Sequence, residues 1–267
     1  MVQDAQPFAT ENGKTASTNY DCKAQVMSEG AIYEGRDLEA MACAVNYHNW
    51  IMGIFKPFLG KRIVEVGAGI GSFSELFLKD SIESLSLVEP SQKMHHILCE
   101  RVRRMDAATQ IKIYNGLFTE VAEEIRMRQR PDSIVYVNVL EHILDDESEL
   151  RSVHQTLAPH GRLFILVPAF QWLFGKFDQQ VGHHRRYTAG QLEETCVRTE
   201  FKVLNLRYLD FLGIFPWWLK YCMLKSTSME SGLVHLYDKF LVPISKIIES
   251  TMAPPVGKNV LLIAEKM

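Results

Sequence analysis

A chain of 267 residues with 47% apolar, 10% aromatic and 23% charged residues has the make-up of an ordinary globular protein and is long enough for one large domain. Its net charge of −3 gives no electrostatic case for a nucleic-acid partner. The five cysteines, Cys22, Cys43, Cys99, Cys196 and Cys222, are odd in number, scattered and without C-x-x-C spacing, which argues against a disulfide framework or zinc site and fits a reducing cytoplasm.

Residues 1–36 carry too little apolar content to bury and are expected to form a mobile arm; the first 19 lack the apolar core of a signal peptide. No run approaches the roughly 18 uninterrupted apolar residues of a membrane span. A helical stripe of Leu38, Met41, Val45, Met52 and Phe55 predicts a helix over 37–60, with Asp37 as cap and Pro57 as stop. Tyr47, His48 and Trp50 lie on it, either packing on a sheet or forming a flap over a ligand.

Residues 62–73, RIVEVGAGIGSF, read as a strand, a glycine turn and the start of a helix over 72–78. Glycine at 67, 69 and 71 frees the backbone and lets a ligand approach with no side chain in between. Strands follow at 84–89, 111–114, 133–139, 162–167, 203–208 and 260–264. Helices are expected from the Ser91 cap, over 147–157, and from the Thr188/Gln191 capping box to about residue 198. This alternation predicts an α/β fold, a doubly wound parallel sheet with helices on both faces. Ligands of such sheets lie beyond the carboxyl ends of the strands. The residues just after those ends are 67–71, Glu89, 115–118, 138–142 and the loop from Pro168.

The glycine spacing is G-x-G-x-G, not the G-x-G-x-x-G of a dinucleotide site. Glu65, two residues before the first glycine, suits a cationic ligand better than a diphosphate. Glu89 ends its strand where it could accept both hydroxyls of a ribose. Adenosine joined to a positively charged amino acid meets these requirements, and S-adenosylmethionine is such a molecule.

On these residues the chain resembles the class I S-adenosylmethionine-dependent methyltransferases. VEVGAGIGSF is similar to their first motif, LVEPS to their acidic ribose motif, NVLEHILDD to the segment after the fourth strand, and APHGRLFILVPA to the fifth strand and its lead-in. The resemblance covers roughly 37–201. It implies a Rossmann-like seven-stranded sheet whose last strand is antiparallel and inserted between its neighbours. It divides 37–267, a single methyltransferase domain, into an N-terminal helix (37–60), a core (61–208 and 259–267) and a helical lid insertion (209–258). It also implies that Glu65, Gly67, Ala68, Gly69 and Gly71 surround the methionine part of the cofactor, and that Glu89 binds the ribose. Pro90, Ser91 and Met94 would lie beside the adenine, Gly116, Leu117 and Phe118 would close its other side, and Asn138 and Leu140 would meet the amino-acid end. Many members carry Asp after the third strand, where this chain has Asn115.

The loop after the fifth strand, PAFQWLFGKFDQQVGHHRRYT, lies over the crevice where an acceptor must sit. Phe170, Trp172, Phe174, Arg186, Tyr187 and, from the insertion, Trp217 are the candidate acceptor wall. His142, His183 and His184 are candidate bases for an oxygen or nitrogen acceptor, each with a structural alternative as a brace. A metal site is not expected, because adjacent histidines seldom supply a complete ligand set. The apolar insertion is a lid, an oligomer contact or a membrane-surface element; its polar interruptions exclude a span. These readings give methyl transfer to a hydrophobic or aromatic small molecule. C-methylation of a prenylated or indole-type natural product and O-methylation of a hydrophobic metabolite are both open, with a homo-oligomer through the arm or lid helices. The rival classes are an NAD(P)-dependent oxidoreductase, against which the glycine spacing speaks, and a non-catalytic cofactor-binding scaffold.

Overall fold

In the computed structural model, residues 20–23, 40–105 and 109–267 are described, the first four as backbone only. The strands are β1 (Tyr20–Lys23), β2 (Arg62–Val66), β3 (Ser84–Glu89), β4 (Gln110–Asn115), β5 (Ser133–Val137), β6 (Arg162–Pro168), β7 (Phe201–Leu209) and β8 (Asn259–Lys266). They form one sheet in the order β1-β4-β3-β2-β5-β6-β8-β7. β8 runs antiparallel to both β6 and β7, while the other pairs are parallel. The seven-stranded sheet with an inserted antiparallel strand is therefore present. β1 adds an edge strand from within the segment expected to be a mobile arm, pairing Tyr20–Lys23 with residues 111–114 of β4.

The sheet is covered on both faces because its inner strands are apolar at consecutive positions. Ile63, Leu85, Leu87 and Phe164 pack on one side with Phe55, Phe73 and Phe77. Val64, Val66, Ile134, Tyr136 and Ile165 pack on the other with Phe118, Ile125 and Val153. The helices doing this are α1 (Val45–Phe55), α2 (Ser74–Phe77), α3 (Gln92–Arg103), α4 (Phe118–Gln129), α5 (Asp146–Thr156), α6 (Lys176–Val181) and α7 (Ala189–Arg198). The expected helix start at Asp37 lies outside the described residues. β5 stops two residues short of the predicted 139 because Asn138 takes a left-handed φ of 54° and donates its N–H to the Leu166 carbonyl at 2.8 Å.

Between β7 and β8 lie α8 (Ile214–Trp217), a π-helical turn (Trp218–Met223) and α9 (Ser231–Thr251). α1 has no side-chain cap of its own. Asp238 of α9 supplies it, accepting the Asn46 N–H at 3.0 Å and the Tyr47 N–H at 2.8 Å. The two ends of the insertion meet: Leu209 pairs with Asn259, and Lys258 Nζ lies 2.8 Å from Asp210 Oδ2. A Cβ on Gly257 would come within 2.4 Å of the Leu209 carbonyl oxygen, so only glycine fits that approach. The outer face of α9 leaves Leu233, Leu236, Phe240, Ile244 and Ile247 exposed. Among the described residues no helix is long and apolar enough to cross a membrane. Cys43, Cys196 and Cys222 are free thiols, whereas Cys99 is disulfide-bonded, which the scattered spacing did not predict.

Candidate active site

β2 ends in the glycine turn, and the turn holds its shape through two carboxylates. Gly67, Gly69 and Gly71 have φ of 70°, 55° and 81°. The carbonyl of Val88 accepts the N–H groups of Gly67 (2.8 Å) and Ala68 (3.1 Å), which ties the turn to β3. A Cβ on Gly67 would meet Val139 Cγ2 at 2.4 Å. Glu89 accepts the Gly69 N–H on Oε2 and the Ser91 N–H on Oε1, both at 2.8 Å. Glu65 is buried beneath the turn and accepts the Ser74 hydroxyl of α2. Burial pushes its carboxyl up to about 8, with the Ser74 hydrogen bond opposing and Glu89 adding to the rise. Burial also raises Glu89, against the pull of the two N–H groups.

A cleft opens beside this turn. Its lining includes Glu65, Gly67, Ala68, Ile70, Ser72 and Asn138 at one end and Phe177, Arg186, Trp217, Met229, Lys258 and Asn259 at the other. Tyr47 and His48 of α1 form one wall. His48 stands edge-on to Phe73, and burial lowers its pKa to about 4. The residues expected around ribose and adenine lie outside this cleft. Met94 and Phe118 are buried in the layers on either side, while Leu117 is exposed. The Asn115 amide, at the position where many relatives have Asp, donates to the carbonyls of Glu89 (2.9 Å) and Pro90 (3.2 Å) and so fastens β4 to β3. Leu140 is fully buried in the core.

The floor of the cleft is polar. Asp178 of α6 is fully buried and accepts from Arg186 Nε, from the Gly175 N–H and from His183 Nδ1, each at 2.8 Å. Although burial raises its carboxyl, His183 and Arg186 outweigh that and hold it below the usual range. Glu141, in the short 3-10 turn Leu140–His142, is also fully buried, and neither of its oxygens has a hydrogen-bond partner. Its Oε1 lies 3.8 Å from His183 Nε2. Burial pushes Glu141 up to about 7, against the lowering effect of His183 and Arg186. The His142 and His183 rings meet edge to face at 4.6 Å. Burial, followed by the two neighbouring histidines, drives His142 down to about 3, so its imidazole is neutral at ordinary pH.

The structure thus brings together Glu65, Gly67, Ala68, Asn138, His142, His183, Arg186 and Trp217. Of the expected acceptor wall it brings in Arg186 and Trp217 but not Phe170, Trp172, Phe174 or Tyr187. Phe170, at φ 60°, turns the chain so that its ring stacks on Tyr208 at 4.8 Å and on Trp172 at 5.9 Å, away from the cleft. Trp172 is more than half exposed, and Phe174 does not line the cleft. Tyr187 is buried with its hydroxyl donating to Asp146 at 2.8 Å, a bracing role. His184 is exposed, and its N–H donates to the Glu141 carbonyl at 2.8 Å. Sequence reasoning reached Glu141, Phe177 and Asp178 only as members of the nominated segments 138–142 and the loop from Pro168, without giving them a role, and it did not nominate Lys258 or Asn259. The expectation of no metal-ligand set considered only the adjacent histidines. Among the described residues, Glu141, His142 and His183 place ligand atoms within 4.8 Å of one another, joining two loops.

The fold agrees with comparisons to known proteins. A family model described as a methyltransferase domain matches residues 43–206, well over half the chain. No curated protein sequence matches the chain. Among solved structures, the [4+2]-cyclase SpnF is similar at 16% identity over 82% of this chain and 79% of its own, with a TM-score of 0.54. The Haemonchus contortus phosphoethanolamine N-methyltransferase 2, solved with phosphomonomethylethanolamine and S-adenosylhomocysteine, gives 15% identity over 89% of this chain and 61% of its own, with a TM-score of 0.57. An Archaeoglobus fulgidus S-adenosylmethionine-dependent methyltransferase gives 15% over 86% and 94%, with a TM-score of 0.53. These identities speak for the fold, and the family match speaks for the activity. The chain belongs to the methyltransferase-domain family and is a class I S-adenosylmethionine-dependent methyltransferase.

Proposed function

We propose that this methyltransferase acts on an oxygen of a small molecule with an apolar or aromatic body. The observation that carries the reading is the polar cleft floor: the buried Glu141 carboxylate facing His183 Nε2 at 3.8 Å, a few residues from Asn138 in the same lining. Glu65, Gly67, Ala68 and Asn138 hold the methionine end of the cofactor, and Glu89 the ribose. The insertion 209–258 serves as a lid, contributing Trp217, Met229 and Lys258 to the acceptor end. In the reaction an acceptor oxygen lone pair forms the O–CH3 bond while the C–S bond breaks. The bonding pair leaves on sulfur, which becomes a neutral thioether, and the hydroxyl proton passes to the floor cluster or through it to water. Because the displacement is in line, the protein contributes mainly positioning and exclusion of water.

Methylation at carbon is less well supported. A developing carbocation needs open ring faces, but Lys258 Nζ already lies 5.2 Å from the Tyr47 ring and 5.8 Å from that of Trp217, and the Arg186 guanidinium lies 4.7 Å from Trp217. These ring faces are already taken by cations that have their own carboxylate partners, Asp210 for Lys258 and Asp178 for Arg186. The test is transfer of isotopically labelled methyl to a panel of hydrophobic phenols, alcohols and prenylated indoles, with the product site assigned by NMR. Label on oxygen supports the reading; label on carbon overturns it.

A further inference from the structure

We propose that Glu141, His142 and His183 form a binding site for a divalent first-row transition-metal ion at the floor of the cleft. Their ligand atoms lie within 4.8 Å of one another, and all three residues line the cleft.

The hydrogen bonding around the cluster is that of a prepared ligand set. Asp178 also accepts from the Gly175 N–H and from Arg186 Nε, so it is the acceptor and His183 Nδ1 the donor in their 2.8 Å contact. In the neutral imidazole this leaves the lone pair on Nε2, turned toward Glu141 Oε1 at 3.8 Å. Two acceptors therefore face each other at a separation too long for a shared proton. Both Glu141 oxygens lack a hydrogen-bond partner, although the residue is fully buried, an arrangement that is costly unless a cation fills it. Carboxylate support of the far nitrogen is the usual outer-shell partner of a metal-bound histidine. His142 is oriented in the same manner by a ring hydrogen bond to the Gly182 backbone. The two loops are locked together by the His184 N–H donating to the Glu141 carbonyl at 2.8 Å, so the ligands are held before any ion arrives.

Two imidazoles and one carboxylate select iron, cobalt, zinc or manganese over magnesium or calcium, whose sites are built from oxygens. Three protein ligands also leave coordination positions open toward the cleft, the pattern of catalytic rather than structural sites. An acceptor oxygen fits such a position. An ion held there would supply Lewis-acid activation of that hydroxyl, and with His183 engaged as a ligand the proton would go to water. That part rests on the O-methylation reading, whereas binding of the ion does not.

The experiment uses the full chain, stripped with a chelator and titrated with Co2+ and Zn2+ in the absence of acceptor. The expected result is one ion per chain, with a Co2+ d–d band showing nitrogen ligands. Glu141→Gln and His183→Asn should each weaken binding by about 100-fold or more while S-adenosylhomocysteine still binds, showing that the fold survives. X-ray absorption at the zinc edge of the wild-type protein, which needs no variant, should show two imidazoles. No stoichiometric binding, unchanged affinity in both folded variants, or a zinc shell without imidazole would overturn the proposal. Label appearing on carbon in the acceptor assay would instead remove only the O-methylation reading.

Discussion

The backbone N–H of Gly69 donates to Glu89 Oε2 at 2.8 Å, so the carboxylate assigned to the cofactor's ribose also holds the glycine turn. Glu89→Ala therefore removes two things at once. We expect S-adenosylhomocysteine binding to weaken by about 1.5–3 kcal/mol, the usual worth of hydrogen bonds to a charged group, with Glu89→Gln losing less because it keeps one acceptor oxygen. Titration calorimetry of the three proteins checks this, and equal affinities would refute the assignment.

Gly67 bears a positive φ of 70° and lies where a Cβ would meet Val139 Cγ2 at 2.4 Å. Gly67→Ala meets both obstacles. The left-handed backbone alone costs about 1–3 kcal/mol, so thermal unfolding should shift downward. Adding Val139→Ala should recover only part of the loss, since it relieves the contact and not the backbone. Full recovery would show that the clash is the whole effect.

Glu65 gives the chain a pH dependence with a definite sign. Its carboxyl titrates at about 8 in the fold against 4.5 in the open chain. Between those values the folded protein holds a proton that the unfolded chain has released, so this group makes stability fall as pH rises from about 4.5 to 8. Glu65→Gln should flatten that decline and raise cofactor-free stability near pH 8 by about 1–3 kcal/mol. A cationic ligand favours the carboxylate. S-adenosylmethionine binding by the wild type should therefore release a proton below pH 8 and tighten as pH approaches 8. Calorimetry in buffers of different ionisation enthalpy measures the proton directly.

Trp217 and Phe170 should part company. Trp217 lines the cleft and donates its indole N–H to the Leu173 carbonyl at 3.2 Å, whereas Phe170 stacks on Tyr208 outside it. Trp217→Ala should raise the acceptor KM by about tenfold, the loss of roughly 1.4 kcal/mol of contact, with S-adenosylhomocysteine affinity unchanged. Phe170→Ala should leave KM alone and cost about 0.5–1.5 kcal/mol of stability, the worth of its ring pair. Steady-state kinetics and melting curves on both variants separate the roles.

The sheet was legible because its signals are local. Residues 84–89 form a strand with the bounds their composition predicts, and 62–66 run into the glycine turn as read. Tyr20–Lys23 was not recognised, since a four-residue edge strand is held by backbone hydrogen bonds to one neighbour and needs no apolar pattern. Glu65 and the glycines of the turn could be read together for the same reason as the strands, because they are neighbours in the chain. The floor of the cleft could not be. Glu141 and His183 meet only because β5 and β6 are adjacent and parallel, and no spacing rule links them. The aromatic loop was placed after the right strand, but at the left-handed Phe170 its ring stacks with Tyr208 and Trp172 outside the cleft, while Phe177 further on lines it, and nothing in the residue types announces that division.

Leu209 and Asn259 stand opposite each other in the sheet, and Asp210 grips Lys258 just beyond them, so everything between them leaves and returns through one narrow doorway. A segment joined in this way is a cassette. Changing its length costs only the slowly growing entropy of a longer loop, and the strand register on either side need not move. If the insertion serves the acceptor as proposed, the core around the glycine turn can stay constant while the insertion is rebuilt. Exchanging residues 211–257 between relatives is accordingly a direct route to a new acceptor with the old reagent.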